Sequence, residues 1–122
     1  MKKLIVSIKS ASETLSEFKK ALKDSRKGRL KGDHYEISFD SKRDFDRFTK
    51  NLGVLSAILT HKPKSVYELA KLIDMDVSNL NKLIAFFEAV GAVKIKTSQA
   101  AGRSVKTPIV EYGQVEFDLS AA

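Results

Sequence analysis

The sequence contains no cysteine, and this absence excludes disulfide bonds, thiolate zinc sites and cysteine nucleophiles together. Its two histidines, His34 and His61, lie in different segments without the spacing of a metal site. A glycine-rich phosphate loop and the nucleophile elbow of serine hydrolases are also missing. We therefore expect a protein that is not an enzyme, with no catalytic residue, no metal site and no cofactor.

Long apolar runs are missing as well, and no stretch of the chain approaches the length of a membrane span. The apolar run near the N-terminus, Leu4–Val6, is too short for the core of a signal peptide, and Lys9 soon interrupts it. The lack of cysteine suits a reducing compartment. We expect a cytoplasmic protein that does not bind membranes.

Acidic residues are in the minority: 15 Asp and Glu stand against 22 Lys and Arg, which gives a formal net charge of +7. A basic excess favours polyanions such as DNA, RNA or an acidic membrane surface. The basic residues concentrate in two segments, residues 2–31 and residues 94–106. Charge alone leaves open a basic surface that is simply solvated.

The first 33 residues predict a small extension. Lys3–Ile8 is rich in branched residues and predicts a short strand, and Ser12–Lys23 has apolar residues at helical spacing. Ser25–Asp33, with two glycines and four basic residues, predicts a loop. We interpret residues 1–33 as a strand–helix extension that serves dimerisation or binds a partner.

A strand and a long helix are predicted next. His34–Asp40 alternates apolar and polar residues, which is typical of a half-buried strand. Ser41 is a suitable N-cap for a helix whose apolar residues recur every three or four positions as far as Thr60. Pro63 cannot continue this helix and marks its end.

Two further helices are predicted from their caps. Ser65, with a glutamate three residues later, has the pattern of a capping box and begins a helix over Val66–Ile73. After a three-residue turn, Asp76 caps a helix over Val77–Val90. Gly91 can adopt the left-handed conformation that commonly ends a helix.

A ribbon follows these helices. Ala92–Lys96 and Val105–Tyr112 predict two strands around a small polar loop, Thr97–Ser104. Pro108 requires the second strand to lie at an edge or to break there, and Gly113 ends it before a final short strand. Helix, turn, helix and two-stranded ribbon form the layout of a winged helix-turn-helix. We therefore predict an α+β fold with a winged helix-turn-helix over residues 34–119.

The solvent face of helix Val77–Val90 carries the candidate binding residues. They are polar or basic and lie near the N-terminus of the helix: Ser78, Asn79, Asn81 and Lys82. An ordinary exposed face is richer in Glu, Lys, Gln and Arg, whereas Asn and Lys are side chains that read bases in the major groove. The face therefore favours binding of double-stranded DNA, and a merely solvated face is the alternative.

Phosphate contacts are predicted on either side of that helix. Lys64 and Ser65 open the preceding helix, whose free N–H groups would suit a phosphate, although Ser65 could simply cap. In the ribbon, Lys96, Arg103 and Lys106 bracket the small loop and could reach the minor groove or the DNA backbone. A solvated hairpin is the alternative.

Residues 37–58, 65–95 and 108–119 together resemble a prokaryotic family of DNA-binding regulators akin to the MarR and ArsR winged-helix proteins. The resemblance covers about residues 37–119. It implies sequence-specific transcriptional regulation, with repression as the expected outcome. By this likeness the groove-facing positions are Ser78, Asn79, Asn81 and Lys82.

Other partners remain open. Some members of the family that the chain resembles look like antitoxins, so a module that neutralises a partner protein such as a cognate toxin and represses its own operon is the alternative function. A homodimer is expected, and residues 1–33 could form it or could instead bind a different protein. RNA binding is less favoured because the phenylalanines lie at helical spacings typical of a core rather than of a stacking platform.

Overall fold

The computed structural model of the chain describes residues 2–8, 29–31 and 34–120. It has a mixed α+β fold with a four-stranded and a two-stranded sheet among these residues. In chain order the elements are β1 (Lys2–Ile8), β2 (Arg29–Lys31), β3 (His34–Phe39), α1 (Lys42–Lys50), α2 (Leu52–His61), α3 (Val66–Leu72), α4 (Val77–Val90), β4 (Lys94–Ala100), β5 (Arg103–Ile109) and β6 (Tyr112–Asp118). The predicted helix Ser12–Lys23 lies outside the described residues.

The chain divides into two compact units. The sheet unit comprises the described residues within Met1–Lys50 and Tyr112–Ala122, and the helix–hairpin unit comprises Asn51–Glu111. This division differs from the predicted one at residue 33, because β3 and β6 hydrogen-bond to the N-terminal strand β1. None of the helices among the described residues is long and apolar enough to cross a membrane.

The sheet unit is built on a sheet with the strand order β2-β3-β1-β6. The predicted strands at its centre are confirmed, and β1 pairs in parallel with both β3 and β6. Part of the segment predicted as a loop is strand β2, which pairs antiparallel with β3. Gly113 was expected to end a strand, yet it lies inside β6.

One face of this sheet is apolar because alternate residues of a strand point to the same side. Leu4, Val6, Ile37 and Phe39 on this face are buried. Helix α1 contributes the buried Phe48, whose ring centroid lies 5.6 Å from that of Phe39. Aromatic packing of α1 against the sheet therefore holds this unit together.

The single helix predicted from Ser41 to Thr60 is wrong, because the chain forms two helices there, α1 and α2. Asn51 separates them with φ −115° and ψ 21°, outside the helical region. Asn51 and the nearby Gly53 both have low helix propensity, which makes this the weakest point of the predicted helix. The Ser41 hydroxyl does accept a hydrogen bond of 3.3 Å from the backbone N–H of Asp44, at the start of α1.

The helix–hairpin unit has its own apolar core. The buried side chains come from all three of its helices, the turn before α3, the segment after α4 and strand β5: Val54, Leu55, Ile58, Pro63, Val66, Leu69, Ala70, Leu80, Leu83, Ile84, Phe87, Ala92, Val93 and Pro108. In α4 the buried positions recur every three or four residues, so one side of this helix faces the core and the other side is left exposed.

The predicted caps of α3 and α4 are confirmed. The Ser65 hydroxyl accepts a hydrogen bond of 3.0 Å from the Glu68 N–H, and the Asp76 carboxylate accepts one of 3.0 Å from the Asn79 N–H. Gly91 ends α4 with φ 90°. The N–H groups of Gly91 and Ala92 donate to the carbonyls of Glu88 and Phe87, which is the pattern of a Schellman motif.

The ribbon is longer than predicted. Strands β4 and β5 run up to a two-residue turn, Ala101-Gly102, so the expected loop Thr97–Ser104 is wrong. Both turn residues have positive φ, 52° and 76°, which is the signature of a type I′ turn that joins twisted antiparallel strands. Pro108 is tolerated because its sheet has no third strand among the described residues.

Candidate functional site

Helix α4 separates its residues into two faces. Leu80, Leu83, Ile84 and Phe87 are buried, and they fall on one side of the helix at about 100° per residue. The opposite side is exposed along the whole helix. An exposed face of this length, next to a core-facing stripe, is available to a binding partner.

The four residues predicted on α4 are all exposed. Ser78 and Lys82 lie one turn apart along the middle of the exposed face, and the exposed Ala85 continues their line. Asn79 and Asn81 lie on either side of that line. The helix therefore presents two amides, one hydroxyl and one ammonium group over its first two turns.

The residues predicted at the start of α3 make one contact within that helix and one with the hairpin. The half-buried Ser65 is occupied as the N-cap acceptor described above. The backbone carbonyl of Lys64 accepts a hydrogen bond of 2.6 Å from the hydroxyl of Thr107 in β5, while the Lys64 side chain is exposed. The second of these hydrogen bonds connects the entrance of α3 to the hairpin.

The hairpin separates the basic residues that the sequence had grouped together. Thr97 pairs directly with Lys106, and Lys96 pairs with Thr107. Because neighbouring residues of a strand point to opposite faces, Lys106 lies on one face of the hairpin and Lys96 on the other. Arg103 shares the face of Lys96. The structure thus brings Lys96 and Arg103 to the same side and places Lys106 away from them.

A groove of about 290 Å³ lies between α4 and the hairpin. Its lining combines apolar, polar and charged side chains: Val66, Asn81, Ile84, Ala85, Glu88, Ile95, Thr97 and Lys106. The face of the hairpin that carries Lys106 is therefore the face toward α4. Of the predicted binding residues, the groove brings together Asn81 and Lys106.

The basic side chains of α4 and the hairpin are only partly paired with acidic ones. Lys94 forms an ion pair of 2.6 Å with Glu111. Lys82, Lys96 and Lys106 form no such pair with other residues in the described part of the chain. These three ammonium groups are left to interact with solvent or with a partner that carries negative charge.

Sequence reasoning did not identify Thr97 as a residue of the groove, and it did not recognise that Tyr67 is exposed. Thr97 was part of a predicted loop, and strand alternation would have placed it beside Lys106 had the hairpin been recognised. Tyr67 is 58% exposed on α3, with the Lys71 ammonium 4.6 Å from its ring centroid. A single exposed tyrosine on an amphipathic helix leaves no distinctive pattern in the sequence.

No group of three or more His, Asp or Glu side chains that could hold a metal ion occurs within the described ranges. Comparison with known proteins gives one family match: the model of the HVO_A0114 family matches residues 48–117. No curated protein and no solved structure matches the chain.

Proposed function

The chain belongs to the HVO_A0114 family, and from the geometry of α4 we propose that it is a sequence-specific regulator of transcription that binds double-stranded DNA. In this proposal the helix–hairpin unit is a winged helix-turn-helix. Helices α3 and α4 form the helix-turn-helix, α4 enters the major groove, and the hairpin is the wing. Repression of the bound promoter is the proposed outcome.

One observation carries this proposal. Ser78, Asn79, Asn81 and Lys82 are exposed together over the first two turns of α4, while the other side of that helix is anchored in the core. A helix fits the width of the major groove, and recognition helices contact base edges from their N-terminal residues. A firmly anchored helix with a bare N-terminal half supports this type of contact.

The chemistry of the exposed residues also fits base reading. An asparagine amide can donate to and accept from adenine at the same time, and a lysine can donate to guanine. The small Ser78 and Ala85 on the same face would allow the helix to approach the bases closely. Glu88 is the one acidic residue on the exposed side of α4, and it lies in the last turns, away from the proposed reading end.

The charge of the helix–hairpin unit supports a polyanionic partner. Basic residues outnumber acidic residues within Asn51–Glu111. Lys82, Lys96 and Lys106 are exposed and available for phosphate contacts. Such contacts position a protein on DNA and provide most of its sequence-independent affinity.

The resemblance to MarR-like and ArsR-like regulators agrees with this proposal and is the reason to propose a role in transcription rather than in DNA packaging. Homodimerisation and neutralisation of a cognate toxin stay predictions. A homodimer would bring two α4 helices to two half-sites one helical turn of DNA apart.

The proposal is tested by selecting duplexes that bind the full chain from a random DNA pool. Affinity for the selected duplex and for a scrambled duplex is then measured by fluorescence anisotropy over a series of salt concentrations. We expect an enriched sequence, clear preference for it, and affinity that falls linearly with salt on logarithmic axes. Failure to enrich any sequence, with no binding even at low salt, would overturn the proposal.

A further inference from the structure

Resting on the proposed function, we infer that the groove between α4 and the hairpin receives one phosphate of the bound DNA. Lys106 and Thr97 hold this phosphate, and Glu88 limits where in the groove it can lie. Lys96 and Arg103, on the other face of the hairpin, take no part in this contact. Of the basic residues of the hairpin, Lys106 thus contacts the DNA beside α4.

The register of the hairpin is the first step. Thr97 and Lys106 are paired directly across β4 and β5, so their side chains emerge side by side on the same face. Both line the groove, together with Asn81 and Ala85 of α4. An anion in the groove would therefore meet an ammonium group and a hydroxyl group from the hairpin while it lies against the reading helix.

The donors in the groove suit a phosphodiester. The Lys106 ammonium supplies a full positive charge and the Thr97 hydroxyl supplies a neutral donor, while the Asn81 amide at the edge of the groove is left for the bases. Lys106 forms no ion pair with another described residue, so no ion pair within the protein has to break before its ammonium group contacts a phosphate. A nucleic-acid strand that passes α4 would find this site beside the bases that α4 contacts.

Glu88 supplies the opposing charge. It lines the same groove near the C-terminal end of α4, and it forms no ion pair within the described part of the chain. A carboxylate repels a phosphate, so the phosphate is confined to the end of the groove near Asn81. Removal of the Glu88 charge should therefore strengthen DNA binding, an effect that damage to the fold would not produce.

Lys96 is the matched control for Lys106. It carries the same charge on the same strand pair, but it is paired with Thr107 on the opposite face. The hydroxyl of Thr107 is directed to the Lys64 carbonyl, 2.6 Å away, at the entrance of α3. Loss of the Lys96 charge changes the overall charge by the same amount as loss of Lys106 and leaves the groove intact.

The experiment uses the full chain and the duplex selected above, with single phosphates replaced in turn by neutral methylphosphonates. We expect one flanking phosphate at which the replacement weakens the wild-type protein several-fold. Lys106→Gln should weaken binding to the unmodified duplex. It should also reduce the steepness of the plot of log affinity against log salt concentration by about 0.9. Replacement of that phosphate should not weaken this variant further. Lys96→Gln should remain as sensitive to it as the wild type, and Thr97→Val should lose part of the effect.

Glu88→Gln should bind the unmodified duplex more tightly than the wild type. Thermal unfolding monitored by circular dichroism verifies that each variant is folded. If no single replacement weakens the wild type, if Lys106→Gln stays sensitive to replacement of that one phosphate, or if Glu88→Gln binds no more tightly, the inference fails while DNA binding stands. If the wild type binds no duplex, the proposed function fails, and this inference fails with it.

Discussion

The side-chain hydroxyl of Thr107 donates a hydrogen bond of 2.6 Å to the backbone carbonyl oxygen of Lys64. Thr107 lies in β5 and Lys64 directly precedes the cap of α3, so the bond joins segments 43 residues apart in the sequence. It fixes the hairpin to the entrance of α3.

Thr107→Val should lower the free energy of unfolding by about 0.5–1.5 kcal/mol, because the hydrogen bond is lost at nearly constant side-chain volume. Urea denaturation of the purified protein measures the change. Thr107→Ser keeps the hydroxyl and should retain most of the stability. Equal stabilities of the valine variant and the wild type would show that this bond does not hold the hairpin in place.

Ala101→Asn should raise the free energy of unfolding by about 0.5–1 kcal/mol. Ala101 has φ 52° in a turn where both residues need positive φ, and asparagine followed by glycine is the preferred pair for a type I′ turn. Ala101→Val should lower the stability, since a branched residue is strained at positive φ. Identical melting temperatures for the two variants would contradict the turn described above.

Gly91→Ala and Gly53→Ala should have opposite effects. Gly91 has φ 90°, and an L-residue in the left-handed region costs roughly 1–2 kcal/mol. Gly53 is exposed in α2, and a Cβ built on it meets no atom within 4 Å, so alanine there should stabilise the helix by about 0.5–1 kcal/mol. Denaturant unfolding of both variants checks the two signs, and destabilisation by Gly53→Ala would contradict the position assigned to α2.

Features that depend on a few adjacent residues could be predicted from the sequence. Ser65, Asp76 and Gly91 act through hydrogen bonds to backbone groups at most a few residues away, so their patterns indicate the ends of α3 and α4 directly. The buried stripe of α4 follows from its helical period for the same reason.

Features that depend on distant pairing could not be predicted. The parallel pairing of β1 with β6 joins the two ends of the described chain, and no local pattern specifies the partner of a strand. The hairpin was missed for a different reason. Ala101 is an unusual residue for positive φ, so the turn lacks the asparagine–glycine signature and its flanks resembled a small polar loop.

The candidate site was predictable on α4 and only in part on the hairpin. The exposure of Asn81 and Lys82 follows from helical periodicity. Lys106 and Lys96 lie on opposite faces because of the strand register. This register could not be predicted, because Thr97–Ser104 was expected to be a loop. The groove itself requires the fold to bring the hairpin near α4, and this is a tertiary relationship.

The most direct test of the proposed reading helix compares Asn81→Ala and Lys82→Ala with Lys50→Ala, which removes an exposed charge from α1 instead. Equilibrium binding to the selected and the scrambled duplex is measured at one salt concentration. If α4 reads the bases, Asn81→Ala should lose about 1–3 kcal/mol of affinity for the selected duplex and Lys82→Ala should bind it more weakly. In both α4 variants the ratio of affinities for the selected and the scrambled duplex should fall, whereas Lys50→Ala should leave this ratio unchanged. Wild-type affinity and discrimination in both α4 variants would contradict the account.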